Sequence, residues 1–258
     1  MPLQVRLAQL QLATMLLTRL PAGHLRDPAP TIGQSAWAFP VLGVVVGGLS
    51  AAVLLILLWL QVPALMASGL ALATGILVTG GLHEDGLADV ADGFGGGHDR
   101  ARKLEIMRDS RIGSYGTLAL IVSLGLRWQG LGAVAQQGPV LAAIALVALA
   151  ISSRAGLPTA LAFMPVARPD GLGKLASGAT ARSAMFSACI GLLALLALGP
   201  WTGLGVFVAQ CAVQSLFAGL ALRQIGGQTG DVLGAMQQLA ELTGWIVLTA
   251  ACSVTLPG

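Results

Sequence analysis

Long apolar runs recur along the whole chain and constrain its fold more than any other feature. Membrane-spanning helices need apolar runs of about 20 residues, whereas soluble cores do not. Only 10% of the 258 residues are charged, against about 25% in soluble proteins. No polar segment is long enough to fold separately. The sequence therefore predicts an all-α, polytopic membrane protein with one integral membrane domain over residues 1–258.

Seven segments are predicted to span the membrane: about 40–60, 64–82, 113–130, 139–163, 183–199, 203–222 and 238–256. Twelve of the fourteen Lys and Arg residues lie on one side of this topology. The connections on the other side contain no Lys or Arg: 61–63, 131–138 and 200–202. The positive-inside rule then places the N-terminus in the cytoplasm, and the odd span count places the C-terminus outside. Residues 1–39 form an interfacial segment, in which 3–20 reads as an amphipathic helix.

Acidic residues are concentrated in one cytoplasmic segment, 83–112. It contains seven of the eleven: Glu84, Asp85, Asp89, Asp92, Asp99, Glu105 and Asp109. Crowded carboxylates repel one another unless a positive charge lies among them, and a divalent cation is the usual solution. If the preceding helix continues past Leu82, then Asp85, Asp89 and Asp92 lie within about 60° on one face. This row predicts oxygen ligands for Mg²⁺ or Mn²⁺.

The rest of the segment predicts a short helix with phosphate-binding arginines beside that row. Gly93 and the glycine run 95–97 are expected to end the helix. A short helix from about Asp99 then carries Arg108 and Arg111 back towards the carboxylates. Metal-binding carboxylates beside phosphate-binding arginines are what phosphoryl transfer needs. The alternative is a solvated charged loop.

Two basic residues lie within predicted spans. Arg127, near the outer end of its span, is expected to snorkel towards the membrane surface. Arg154 lies well inside a span, where an ionised group usually faces a polar cavity. A phosphate or one of the carboxylates would be a suitable partner for Arg154. His83 is left open between a phosphate contact, a base for a hydroxyl and an ordinary helix-end histidine.

A second polar island, residues 223–237, is predicted to be a cytoplasmic Gly-rich loop. Its glycines let backbone N–H groups approach a ligand. Gln228, Thr229 and Asp231 can bind sugar or phosphate oxygens there. Its placement on the cytoplasmic side suggests that it lines the same site as the acidic segment.

Four stretches resemble the signatures of one known family: GGLHEDGLADVADGF at 80–94, LEIMRDSRIGSYG at 104–116, GGQTGDVLGA at 226–235 and LTRLP at 17–21. The family is cobalamin-5′-phosphate synthase, also called adenosylcobinamide-GDP ribazoletransferase. The resemblance implies a multi-pass enzyme of the cytoplasmic (inner) membrane whose active site faces the cytoplasm. It implies the joining of adenosylcobinamide-GDP to α-ribazole or α-ribazole 5′-phosphate, with release of GMP and a need for Mg²⁺.

That reaction assigns roles to the candidate residues. Four carboxylates are expected to hold one or two Mg²⁺ ions against the diphosphate: Asp85, Asp89, Asp92 and Asp109. Other residues are expected to contact the substrates: Arg108, Ser110, Arg111, Arg154, Gln228, Thr229 and Asp231. His83 is a further catalytic candidate. Metal ions and arginines offset charge while a ribose hydroxyl attacks phosphorus in line with departing GMP. The expected partners are these substrates and the lipid bilayer; a homo-oligomer is left open, and a net charge of +3 needs no nucleic acid.

Two alternatives belong to other classes. A CDP-alcohol phosphotransferase also uses an aspartate cluster around D-G-x-x-A, but the Ala-Arg pair expected after Asp85-Gly86 is missing here. An ion-coupled transporter would place its ionisable groups near the membrane midplane, often in two related halves. This chain shows no evident internal repeat. Nucleotide release separates all three: GMP, CMP or none.

Overall fold

The structure, a computed structural model, describes residues 2–168 and 178–254, and within these ranges it is helical without strands. The helices are α1 (Leu3–Leu17), α2 (Ile32–Ser35), α3 (Phe39–Trp59), α4 (Ala64–Thr79), α5 (Leu82–Gly96), α6 (Arg100–Ile106), α7 (Ser114–Gln137), α8 (Pro139–Ala155), α9 (Leu157–Phe163), α10 (Ala181–Leu196), α11 (Pro200–Ile225) and α12 (Gly230–Val254). The predicted all-α class is confirmed. Lys174, counted among the cytoplasmic basic residues, and 255–256 of the last predicted span lie outside the described residues.

Four stretches of the described chain are long and apolar enough to cross a membrane: Ile32–Trp59, Ser114–Gln137, Pro139–Phe163 and Pro200–Ile225. The pair α4 and α5 passes the same test only together, and it is bent by 88°. Helix α10 is apolar but has only 16 residues. All seven predicted segments coincide largely with helices. The number of spans is nevertheless four or five by this measure, so the predicted count of seven is not confirmed.

The bend between α4 and α5 overturns one local prediction. Gly80 and Gly81 both adopt the left-handed conformation, with φ of 67° and 70°. Two consecutive residues of this kind end one helix and send the next in a new direction. Arg19 fixes the corner, because its backbone N–H donates to the Val78 carbonyl at 2.7 Å and its side chain packs on Gly80. The prediction that one helix continues through Leu82 is wrong.

Helix α5 runs through Gly96 and has Gly97 as its C-cap, so the glycine run 95–97 ends the helix as predicted, whereas Gly93 does not. Gly93 instead permits close packing, because a side chain there would overlap Met107. The Gly95 position faces the Tyr115 ring in the same way, with an added Cβ 2.7 Å from the ring. The short second helix is confirmed: α6 follows Asp99, whose carboxylate accepts the Arg102 N–H at 2.9 Å.

Small residues bring the central helices together. Gly43 and Gly47 of α3 face α8 so closely that an added Cβ at Gly47 would lie 2.7 Å from the Val147 Cα. Such contacts are how helices pack when no water is present to drive association. The buried apolar side chains form two clusters. One includes side chains from α1, α2, α5, α9, α11 and the start of α12, and the other includes side chains from α3, α4, α7, α8 and the later part of α12.

Candidate active site

The close crossing of α5 and α12 builds the candidate site. A Cβ on Gly86 would lie 2.8 Å from the Asp231 carbonyl oxygen, and one on Gly234 would lie 3.3 Å from the His83 Cα. The two helices can approach this closely only because both positions lack a side chain. The contact joins the acidic motif of α5 to the GGQTGD motif, which are far apart in sequence.

Three carboxylates, from Asp85, Asp89 and Asp231, form what we call the acid group. The pKa of Asp89 rises from 3.8 to about 7, mainly through burial and then through Asp85, Asp231 and Asp92. Burial also raises the pKa of Asp231, and Arg168 opposes both shifts. The Arg168 Nη2 lies 3.7 Å from the Asp231 Oδ2. The acid group therefore carries more negative charge than its basic neighbour balances.

Asp92, the third member of the predicted row, holds the start of α7. Its two oxygens accept the backbone N–H groups of Gly113 at 2.7 Å and Gly116 at 2.8 Å. A side chain on either glycine would overlap this carboxylate. Asp92 is thus a buried cap on the N-terminus of α7. Each of its oxygens retains acceptor capacity beyond one hydrogen bond.

The stretch between α6 and α7 carries four predicted site residues, all exposed: Arg108, Asp109, Ser110 and Arg111. Asp109 pairs with Arg111 at 2.9 Å, and this hydrogen-bonded pairing lowers the pKa of Asp109. The structure does not bring Asp109 to the acid group. Among residues 2–168 and 178–254, no set of three or more His, Cys, Asp or Glu side chains is arranged to hold a metal ion. The predicted four-aspartate ligand set is therefore not assembled here.

The second polar island is mostly helix, because α11 runs to Ile225 and α12 begins at Gly230. Only 226–229 form the loop, which corrects the predicted loop 223–237. The Gln228 backbone is already used: its N–H donates to the Pro165 carbonyl at 2.8 Å, and its carbonyl accepts the Ala167 N–H at 2.9 Å. Thr229 caps α12, since its hydroxyl accepts the Val232 N–H at 3.2 Å and lies 3.2 Å from the Asp231 Oδ2.

A cavity of about 100 Å³ lies beside the acid group; we call it the α5–α12 cavity. Its polar end is formed by His83, Asp85, Gln228 and Asp231, and its walls by apolar side chains from α1, α2, α3 and α9. His83 and Gln228 are each 2% exposed. Neither the His83 Nε2 nor the Gln228 Nε2 has a hydrogen-bond partner. Burial lowers the pKa of His83 well below its usual value.

A buried ion network lies deeper in the bundle. Arg127 of α7 donates to Glu84 of α5 at 3.3 Å, and to Gln238 at 2.7 Å and Glu241 at 2.6 Å of α12. Arg127 therefore does not snorkel, because its partners hold it inside the protein. The sequence reasoning missed Gln237, Gln238 and Glu241. Their signal was the polar spacing QQLAE within an otherwise apolar helix.

Arg154 belongs to the same network rather than to the acid group. It is 2% exposed, and its Nη1 donates to the Ala150 carbonyl at 2.8 Å. The opposite charges that act on it are those of Glu241 and Glu84. It lines a second, small cavity together with Arg127. Of the two partners expected for Arg154, the structure supplies carboxylates.

Known proteins with similar sequences agree on one family. The model of the cobalamin-5-phosphate synthase family matches residues 9–249. A Bradyrhizobium diazoefficiens protein named adenosylcobinamide-GDP ribazoletransferase is 48% identical over 247 residues, covering 95% of this chain and 94% of the relative. Proteins of the same name from Azorhizobium caulinodans and Mesorhizobium japonicum are 48% identical (86% of this chain, 87% of the relative) and 41% identical (94% and 93%). No solved structure matches the chain.

Proposed function

Because the chain belongs to the cobalamin-5-phosphate synthase family, we propose that it joins adenosylcobinamide-GDP to α-ribazole or α-ribazole 5′-phosphate and releases GMP. It is a transferase of cobalamin biosynthesis. The acid group carries this proposal, because three carboxylates gather where two of the family-like motifs meet. The alternatives, a CDP-alcohol phosphotransferase and a transporter, gain no support from the relatives.

A divalent cation suits the acid group chemically. Carboxylate oxygens are the ligands that Mg²⁺ prefers, and Mn²⁺ accepts the same set. Burial raises the pKa of Asp89 to about 7, the neighbouring carboxylates add to this, and a cation bound there would offset both effects. Asp85, Asp89 and Asp231 are not arranged as a ligand set among the described residues, so their side chains would have to turn towards one ion to hold Mg²⁺, with Asp92 adjoining them and Asp109 left out. Bound there, the metal ion would supply positive charge to the diphosphate oxygens.

Residues around the acid group are proposed to bind the phosphoryl oxygens and to contact the attacking hydroxyl. Arg168 lies against Asp231, and Arg108 and Arg111 lie on the exposed connection after α6. Guanidinium groups in these positions can bind phosphoryl oxygens. His83 adjoins Asp85 with an unpartnered ring nitrogen, and we place it at the attacking hydroxyl.

The transfer exchanges a phosphoanhydride bond for a phosphoester bond. A ribose hydroxyl oxygen of the acceptor forms a bond to the phosphorus that carries cobinamide. The bond from this phosphorus to the bridging oxygen breaks, and GMP departs with that oxygen. The hydroxyl proton is released. Positioning and charge stabilisation by the residues above account for catalysis of such a step.

The membrane placement is part of the proposal. The apolar helices α3, α7, α8 and α11 lie in the bilayer, and the positive-inside asymmetry puts the acid group on the cytoplasmic side of the inner membrane. A corrin is too bulky to enter the bundle, so it rests at the mouth of the site.

Nucleotide release tests the proposal. Purified protein in detergent is supplied with adenosylcobinamide-GDP, α-ribazole and Mg²⁺, and GMP is measured. We expect GMP release that depends on both substrates, and a loss of about 100-fold or more in Asp85→Ala. Release of CMP from a CDP-alcohol, or no nucleotide from any substrate, would reject the proposed function.

A further inference from the structure

The walls of the α5–α12 cavity are strongly apolar. They include Leu17, Ile32, Phe39, Leu157 and Leu161, which come from four different helices. All five side chains are buried, with at most 8% exposure. An apolar space of this kind accepts a flat hydrocarbon-like group and rejects a charged one.

One end of the cavity offers unused polar groups. The Gln228 side-chain amide is buried, and its Nε2 has no hydrogen-bond partner. A buried donor without an acceptor is costly and rare. The Gln228 backbone is fixed on both sides by the 165–167 segment. Gln228 lines the cavity together with Asp85 and Asp231, and its buried Nε2 is a donor that an acceptor on a ligand would satisfy.

We infer that this cavity binds the aromatic base of the nucleoside acceptor, with the Gln228 Nε2–H donating to the base. This inference rests on the proposed function. Ribazole is a riboside of a methylated benzimidazole, whose ring system is apolar except for one nitrogen not bonded to the sugar. That nitrogen is an acceptor and matches the single unpaired amide donor. The ribose then reaches the acid group, where transfer takes place.

The other parts of the substrates fit this cavity poorly. Guanine presents several donors and acceptors along one edge, and leucine walls would leave most of them unsatisfied. The corrin exceeds a space of about 100 Å³. Phosphate would require a cation, and no Lys or Arg side chain lines the cavity within the described part of the chain. The benzimidazole is the one flat, largely apolar group of the substrates, and its polarity therefore agrees with the walls.

A ring-nitrogen analogue tests the hydrogen bond. Initial rates of GMP release are compared for α-ribazole and for its indole analogue, in which C–H replaces the free ring nitrogen. We expect the wild type to prefer α-ribazole by about tenfold in kcat/KM. Gln228→Leu, which keeps the volume and removes the donor, should bring this ratio close to one. An unchanged ratio in the variant would overturn the role of Gln228.

Filling the cavity tests its occupant separately. Leu161→Phe is expected to raise the KM for α-ribazole about tenfold or more, with little change in the KM for adenosylcobinamide-GDP. The matched control is Leu193→Phe, at an exposed position of α10, where neither KM should change. Equal effects on both substrates, or none, would overturn the inference.

The outcomes also separate this inference from the proposed function. A wild type that releases no GMP from adenosylcobinamide-GDP contradicts the proposed function itself. A wild type that releases GMP but shows no preference for α-ribazole over its indole analogue contradicts the base-binding inference alone. This second comparison uses the unaltered chain, so a variant that fails to fold does not affect it.

Discussion

Asp89 is the residue at which the electrostatics of the site are most one-sided. Burial disfavours its charged form first, and Asp85, Asp231 and Asp92 add to this, with only Arg168 opposing. Between 3.8 and about 7 the folded chain binds a proton here that the unfolded chain has released. The free energy of unfolding of metal-free protein therefore falls as the pH rises through that window.

Thermal unfolding checks this at two pH values. We expect metal-free protein to unfold at a lower temperature at about pH 8 than at about pH 6, and Mg²⁺ to remove most of the difference. Asp89→Asn cannot ionise and should show a smaller pH effect without Mg²⁺. A pH effect as large in Asp89→Asn as in the wild type would mean that Asp89 is not its source.

Asp92 has a different role from its neighbours on α5, because it also caps α7. Asp92→Ala should lower the free energy of unfolding by about 1–2 kcal/mol, since two backbone N–H groups lose their acceptor. Asp109→Ala is the matched control, because the exposed Asp109–Arg111 pair contributes little. Denaturant unfolding in detergent measures both. Equal stability of the two variants would contradict the capping role.

At the scale of helices, the contact between α5 and α12 positions the acid group. Gly86→Ala would place a methyl group 2.8 Å from the Asp231 carbonyl oxygen, and the helices must separate. We expect GMP release to fall about 100-fold, because small displacements at a reacting centre are that costly. Gly48→Ala is the control, since nothing lies within 4 Å of the added atom. Similar activity in both variants would argue against the contact.

The positions of the helices in the sequence were predicted better than the orientation of one helix relative to the next. All seven predicted apolar runs coincide largely with helices, and the motifs pointed to the residues that meet at the acid group. The bend at Gly80 and Gly81 was not predicted, because the sign of a glycine φ depends on what packs around it. Asp231 was predicted as a substrate contact and not as a partner of the aspartates on α5. That partnership follows from the Gly86 contact, which no spacing within α5 reveals.

At the scale of the whole molecule, the buried ion network joins α5 and α12, which carry the acid group, to α7 and α8. Arg127 neutralises Glu84 and Glu241, and it joins α7 to α5 and α12. The spacing of charges in the sequence could not reveal this, because the partners lie 43 and 114 residues from Arg127. Buried ions keep their charge only when such partners are present.

Removing Arg127 should therefore destabilise the chain strongly. Arg127→Met is expected to cost about 3–5 kcal/mol, because two buried carboxylates lose their counter-ion. Adding Glu241→Gln should restore much of the loss, because the remaining carboxylate of Glu84 then balances the charge of Arg154. Denaturant unfolding measures the three chains. A single variant as stable as the wild type would show that the network contributes nothing.

The central claim is that the acid group holds a divalent cation against the diphosphate. The most direct measurement is single-turnover GMP release from adenosylcobinamide-GDP after chelation, with Mg²⁺ titrated back into the wild type and Asp89→Asn. We expect no release without metal, saturable recovery in the wild type, and recovery in Asp89→Asn only at much higher Mg²⁺ and to a lower rate. Full release in chelator, or identical Mg²⁺ titrations of the two chains, would contradict it.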